Sequence, residues 1–358
     1  IVTIFACGLF LPGVQSNAIA VSMENAFGIT PAISAAVVAA LLSFIIFGGV
    51  KRIAAFTSLV VPFMAQAYVI VALVIVFMHV DMLADILKLI VSSAFGMDAG
   101  FGAILGMAVS WGVKRGIYSN EAGQGTGPHA SSAASVSHPV KQGLVQAFSV
   151  YVDTLLVCSA TAFMILITGS YNVVGPDNNH IFEGLKNVAT GPAYTQAAVE
   201  SLMPGFGQAF VAVALFFFAF TTILAYFYIA ETNVAYLNRK LKMPSLYFLL
   251  KFLFLCATVF GAIKTAELAW AIGDIGVGLM AWLNVIAILL MHKQAFVSLK
   301  DYEKQKSIGL DPVFHPEALG IKNATYWTGG RAEEIRDRER RKLEQGSRED
   351  LEGNVLNV

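Results

Sequence analysis

The stretch FGQAFVAVALFFFAFTTILAYFYIA, residues 206–230, decides the fold. It contains no Asp, Glu, Lys, Arg or His, and its polar side chains are Gln208, Thr221, Thr222 and two tyrosines. A helix of that length, rising about 1.5 Å per residue, exceeds the ~30 Å hydrocarbon core of a bilayer. Seven further apolar runs are expected to do the same, at approximately 1–27, 31–50, 57–80, 99–118, 143–169, 245–264 and 267–292. Between them lie an amphipathic stretch at 81–95, a polar loop at 119–141 and a longer loop at 170–205. Only helices and closed barrels satisfy every backbone hydrogen bond in hydrocarbon. These runs are too long and too uniformly apolar for the ~10-residue alternating strands of a barrel. The fold class expected is therefore all-α integral membrane, with about eight transmembrane helices.

Charge sharpens that reading. The 358 residues are 56% hydrophobic and 13% charged, with mean hydropathy +0.67, against about 25% charged in soluble domains. Residues 293–358 hold 12 of the 24 Lys and Arg and 12 of the 24 Asp and Glu. The chain thus divides into a transmembrane body, 1–292, and a charged tail, 293–358, expected to be solvated, with 331–352 forming an exposed helix. Zero net charge excludes a basic nucleic-acid binder. Lys51, Arg52, Lys114, Arg115, Lys141, Arg239, Lys240 and Lys242 fall on one set of alternate loops and Lys88, Lys186 and Lys264 on the other. The positive-inside rule then puts the tail in the cytoplasm of a multi-pass protein of the plasma (inner) membrane.

The chain opens with Ile1 inside an apolar run that lacks a basic flank, unlike a signal peptide. It is expected to begin inside or just before a span. Cys7, Cys158 and Cys256 lie far apart in apolar runs and read as small hydrophobes. Catalytic and nucleotide-binding signatures do not occur, and 123–127 (GQGTG) lacks the Lys of a phosphate loop, so no enzyme activity and no cofactor is expected.

Polar groups inside spans carry the functional signal, because each costs free energy unless it meets a partner, a cavity or a pathway. Gln15, Ser16, Asn17 and Ser22 interrupt the first run, either to bond neighbouring helices or to line a substrate path. The fourth run is studded with Gly102, Gly106, Ser110-Trp111-Gly112 and Gly116, and exits through Ser119-Asn120-Glu121-Ala122-Gly123. Such a helix suits either close packing or the discontinuous helices of secondary transporters, whose freed backbone dipoles meet substrate and ion. Thr221 and Thr222 either bond back to their own helix or offer oxygen to a hard cation. Asp153, Glu231 and Asp274 are carboxylates within or at the ends of spans, with structural and coupling roles both open.

The run Lys114-Arg115-Gly116-Ile117-Tyr118-Ser119-Asn120-Glu121-Ala122-Gly123-Gln124-Gly125 resembles the signature of the alanine/glycine:cation (sodium:alanine) symporter family. So do His138-Pro139-Val140-Lys141-Gln142-Gly143 with Asp153-Thr154-Leu155, Gln15-Ser16-Asn17, Gly48-Gly49-Val50-Lys51-Arg52-Ile53 and Phe218-Ala219-Phe220-Thr221-Thr222. The resemblance covers nearly all of the chain to His292. It implies a leucine-transporter-like (LeuT-like) fold of two inverted five-helix repeats, in which the eight runs are core helices three to ten. The first two core helices, including the first broken one, would lie outside this sequence, and the chain alone is expected not to transport. The implied activity is symport of Na⁺, or H⁺, with a small neutral amino acid, alanine or glycine. Gln15, Asn17, Ser110, Trp111 and Gly112 are then expected at the substrate, Thr221 and Thr222 at the cation, and Asp153, Asn120, Glu121 and Asp274 in structural or coupling roles. A substrate-gated channel or a transporter-derived amino-acid sensor is the alternative.

Overall fold

The computed structural model describes residues 1–95, 102–175, 179–188, 190–329 and 337, and the side chains of all of these except 50, 51 and 102–108. The principal helices are α1 (Val2–Phe27), α2 (Pro31–Ile46), α3 (Val50–Met78), α4 (Leu83–Phe95), α5 (Gly102–Asn120) and α6 (Thr126–Ser131). They continue with α7 (Pro139–Ile167), α8 (Ala193–Leu202), α9 (Gly207–Leu241), α10 (Ser245–Ile263) and α11 (Ala266–Ser307). Among the described residues six helices are long and apolar enough to cross a membrane: α1, α3 from Arg52, α7, α9, α10 and α11. α2 is apolar but has 16 residues, and α5 has 19 and carries Lys114 and Arg115. The 170–205 loop holds an antiparallel hairpin, Asn172–Val174 against His180–Glu183, followed by α8.

The chain forms two compact units, Ile1–His129 with Val150–Leu283, and Ala130–Ser149 with Asn284–Val358. In the first, Leu11 and Ile19 of α1 are buried with Phe220, Ile223, Leu224 and Phe227 of α9 and Leu250 and Phe254 of α10. Lipid tails are as apolar as these side chains, so close van der Waals fit rather than water release holds such helices together. The fit is tightest where α1 crosses α10: a Cβ on Gly261 would overlap the Gly13 backbone. A second cluster joins Tyr68, Ala72 and Ile75 of α3 to Met164 and Ile167 of α7, Val199 of α8 and Val211 of α9. There the Tyr68 hydroxyl meets Thr161 Oγ1 at 2.7 Å.

Among the described residues two helices widen into π-turns. In α1 the widening spans Ala6–Phe10, where the Leu11 N–H bonds to Ala6 O, five residues back. Pro12 follows and has no N–H for the Gly8 carbonyl, so the regular ladder fails at this point. The second π-turn, Val152–Cys158, lies in α7.

In the second unit, residues 311–314 pack on residues 137–141. Ser137 Oγ donates to Pro312 O at 2.9 Å, and the Phe314 N–H donates to Ser137 O at 2.9 Å. Lys141 pairs with Asp311 at 2.5 Å. The His138 ring is buried against Tyr302 and Phe314, with Asp301 at 3.4 Å. The tail from 293 is thus not uniformly solvated. It continues α11 to Ser307 and then packs. The exposed helix expected over 331–352 lies outside the described residues, residue 337 apart.

Candidate functional site

α5 ends at Asn120 because its side chain competes for the backbone: Oδ1 accepts the Ala122 N–H at 2.9 Å. The chain then turns through positive φ at Glu121 (57°), Gly123 (81°) and Gly125 (106°) before helix resumes at Thr126. Glycine adopts that region freely, whereas Glu121 is held there at a cost. Gln124, inside the turn, is fully buried with neither amide atom hydrogen-bonded, a second local cost. The end of α5 is fastened to the π-turn of α7. Ser119 Oγ donates to Asp153 Oδ2 at 2.8 Å and Asn120 Nδ2 to Thr154 Oγ1 at 3.0 Å.

Left-handed geometry at Glu121 turns its carboxylate toward α9. It accepts the Thr126 hydroxyl, and Tyr226 of α9 lies close to it, with Gln15 of α1 close to Tyr226.

Glu121 also lines a cavity of about 480 Å³ with Thr57, Thr221, Thr222 and Tyr228, the remaining wall being Ile53, Ala54, Val61 and Ala225. A water occupies about 30 Å³ of liquid, so this space has room for a small zwitterion, an ion and several waters. Both threonine hydroxyls donate back to their own helix, Thr221 to Phe217 O at 2.9 Å and Thr222 to Phe218 O at 2.9 Å. The donated proton leaves the oxygen lone pairs available to a cation. The two alternatives posed for these residues are thus compatible.

Other polar residues from the sequence reading lie elsewhere. Asn17 is buried, and its amide caps α10 by donating to Gly261 O at 3.2 Å and Lys264 O at 2.7 Å. Ser110 and Trp111 are on an exposed face of α5, and Gly112 has nothing within 4 Å of a Cβ position. Trp111 stacks under Lys114 and Arg115, at 5.1 and 5.2 Å. Asp274 pairs with Lys114 at 3.0 Å and Arg115 at 3.2 Å. Those two cations are helix residues bound to a carboxylate, not free loop charges. By the same criterion Lys141, in α7 and paired with Asp311, leaves the loop tally of eight with them, so five basic residues stand against three on the opposite side.

Tyr226, Tyr228 and Thr57 were not singled out from the sequence. The signal for the first two is helical spacing, since 222 and 226, and 221, 225 and 228, share faces.

A family model described as the sodium:alanine symporter family matches residues 1–316. The putative sodium/proton-dependent alanine carrier protein YrbD of Bacillus subtilis (strain 168) is 60% identical over 324 residues, 90% of this chain and 67% of its own length. The sodium/proton-dependent alanine carrier protein of Bacillus sp. (strain PS3) is 57% identical, covering 91% of this chain and 74% of its own. The probable sodium/glutamine symporter GlnT of Bacillus subtilis (strain 168) is 40% identical, covering 87% and 62%.

Proposed function

This chain belongs to the sodium:alanine symporter family, a family of multi-pass membrane transporters rather than enzymes, and from that premise we propose that it serves symport of Na⁺ or H⁺ with alanine or glycine. The observation that carries this reading is the cavity in which Thr221, Thr222 and Glu121 face one space. Hard cations prefer hydroxyl, carbonyl and carboxylate oxygens, and those are the atoms offered. Gln15 of α1 lies close to Tyr226 of α9, near Glu121. An ion and an amino acid that each stabilise one closed arrangement raise each other's affinity, so the ion gradient drives uptake.

The interruption between Asn120 and Thr126 supports a LeuT-like fold in which α5 and α6 form one broken helix. In this proposal Asn17 and Asp274 are structural, Asp153 and Asn120 position the broken helix, and the face bearing Ser110, Trp111 and Gly112 takes no part in the cavity. The remaining loop charges favour a cytoplasmic C-terminal tail.

Uptake of labelled alanine by the full polypeptide in vesicles, with and without an inward Na⁺ gradient, tests the reading. Gradient-driven accumulation is expected, and Thr221→Val should raise the Na⁺ concentration for half-maximal uptake roughly tenfold, about 1.4 kcal/mol of lost coordination. Flux indifferent to the gradient would favour a channel, and binding with no flux a sensor.

A further inference from the structure

The stretch Gly48-Gly49-Val50-Lys51-Arg52 leads from α2 into α3 and takes no part in the cavity. We infer that the end of α2 is a binding site for an anionic phospholipid, with its phosphodiester against Arg52 and Lys251 and an acyl chain along α2.

Arg52 is folded back over the turn that precedes it. A Cβ on Gly48 would overlap the Arg52 side chain, so glycine leaves room for that path. The guanidinium donates to Phe44 O at 2.7 Å and lies 4.8 Å from the centre of the Phe44 ring. Lys251 of α10 lies 5.1 Å from the centre of the Phe47 ring. Phe44 and Phe47, three residues apart, share one side of the helix end, and both are exposed. Two cations are thus seated on two exposed phenyl rings.

Neither cation is neutralised by an ion pair among the described residues. Glu231 is close to Lys251 but beyond that distance. Arg52 is exposed and spends one guanidinium N–H on Phe44 O, and a guanidinium has five, in a fork that suits phosphate oxygens. Arg239, Lys240 and Lys242 precede the start of α10 and add positive charge at the same end of the body.

The apolar half of the ligand follows from α2. Ile33, Val37, Leu41 and Phe44 recur at helical spacing and are exposed, a stripe about 16 Å long that ends under Arg52. Free phosphate would engage the cations and leave the stripe bare. A zwitterionic lipid would cover the stripe but bring a third cation to the phosphate. A lipid with net negative charge engages both halves.

The test titrates the full polypeptide, purified in uncharged detergent, with phosphatidylglycerol or phosphatidylcholine of identical chains, reading bound lipid by native mass spectrometry. Phosphatidylglycerol should half-saturate at a roughly tenfold lower concentration. Arg52→Gln and Lys251→Gln should each raise that concentration roughly fivefold, equivalent to about 1 kcal/mol per cation. Gly48→Ala keeps every charge but pushes the guanidinium aside, and should act as Arg52→Gln does. Lys264, 5.5 Å from the Phe260 ring at the other end of α10, is the control, and Lys264→Gln should change nothing.

Equal response to the two lipids would overturn the inference, as would a Lys264→Gln effect as large as that of Lys251→Gln. Glycerol phosphate, the headgroup without chains, should not displace the lipid when in excess. Displacement would assign the cations to a soluble anion and overturn the lipid. A lipid-free dimer that Arg52→Gln dissociates would overturn it in favour of a second copy of the chain. Should Arg52→Gln fail to fold, Gly48→Ala and Lys251→Gln decide by the same comparison. No arm measures transport, so the result stands apart from the symport reading.

Discussion

Replacing Asn17 with Ala removes the side chain that closes the C-terminal end of α10. The carbonyls it serves, Gly261 O and Lys264 O, lie in the last turn, where no later helical N–H is available. Asn17 is 6% exposed, while Lys264 lies at the surface, so one freed carbonyl stays sheltered and the other can find water. A net hydrogen bond contributes about 0.5–1.5 kcal/mol, and a buried acceptor left bare costs about 1–3 kcal/mol. The sum for one sheltered and one wet carbonyl is about 1.5–4.5 kcal/mol, a roughly 12- to 2,000-fold shift in the unfolding equilibrium. Asn17→Asp keeps the shape but turns the donor into a second acceptor facing two carbonyls, and should cost more than Asn17→Ala. Equilibrium unfolding of the full polypeptide in detergent reads the stability, and calorimetric titration with alanine reads the site. Affinity should stay within about twofold, because Asn17 does not line the cavity. Unchanged stability together with a tenfold loss of alanine affinity would refute the capping argument and return Asn17 to the substrate.

Gly261→Ala forces a methyl into the Gly13 backbone, where no flexible side chain can yield. Overpacking of that kind costs about 1–3 kcal/mol and should lower the thermal midpoint in detergent, whereas Gly112→Ala, with nothing within 4 Å, should not. Burial holds the His138 imidazole below its ordinary value of 6.5, against a smaller opposing pull from Asp301. Because the folded value is depressed, the stabilisation is present above 6.5 and is lost as pH falls below it. The protection of the Val313 and Phe314 amides, corrected for the intrinsic exchange rate, should fall as pH drops from about 6.5 to about 5. His138→Gln should flatten that dependence.

The apolar runs announced the helices because hydrocarbon permits few alternatives, so 206–230 could be read without its neighbours. Thr221 and Thr222 stood out for the same reason, as hydroxyls in an otherwise apolar run. What a single polar residue does in a span depends on which helix lies opposite, and no periodicity encodes that. Asn17 read as either a bond between helices or a substrate ligand, and its amide bonds the end of α10; Lys114 and Arg115 read as loop cations and pair with Asp274. The π-turn before Pro12 was implicit in proline's missing N–H. The widening at Val152–Cys158 has no such residue, and nothing in its sequence marked it. Tyr226 was hidden among the aromatic residues of α9, since a phenol and a phenyl ring are equally at home there until a carboxylate faces one of them.

The contact between Gly13 and Gly261 has a mechanical consequence. Two helices that touch backbone to backbone, and share the Asn17 amide, cannot slide without first breaking those bonds, so α1 and α10 behave as one stiff strut. The turn from Glu121 to Gly125 is built in the opposite way, with positive φ at three of five residues and a buried amide that gains by moving. Deformation concentrates where resistance is least. Any rearrangement that opens or closes the cavity is therefore absorbed as torsion in those five residues, and Glu121, the first of them, rotates with it while α1 and α10 keep their register.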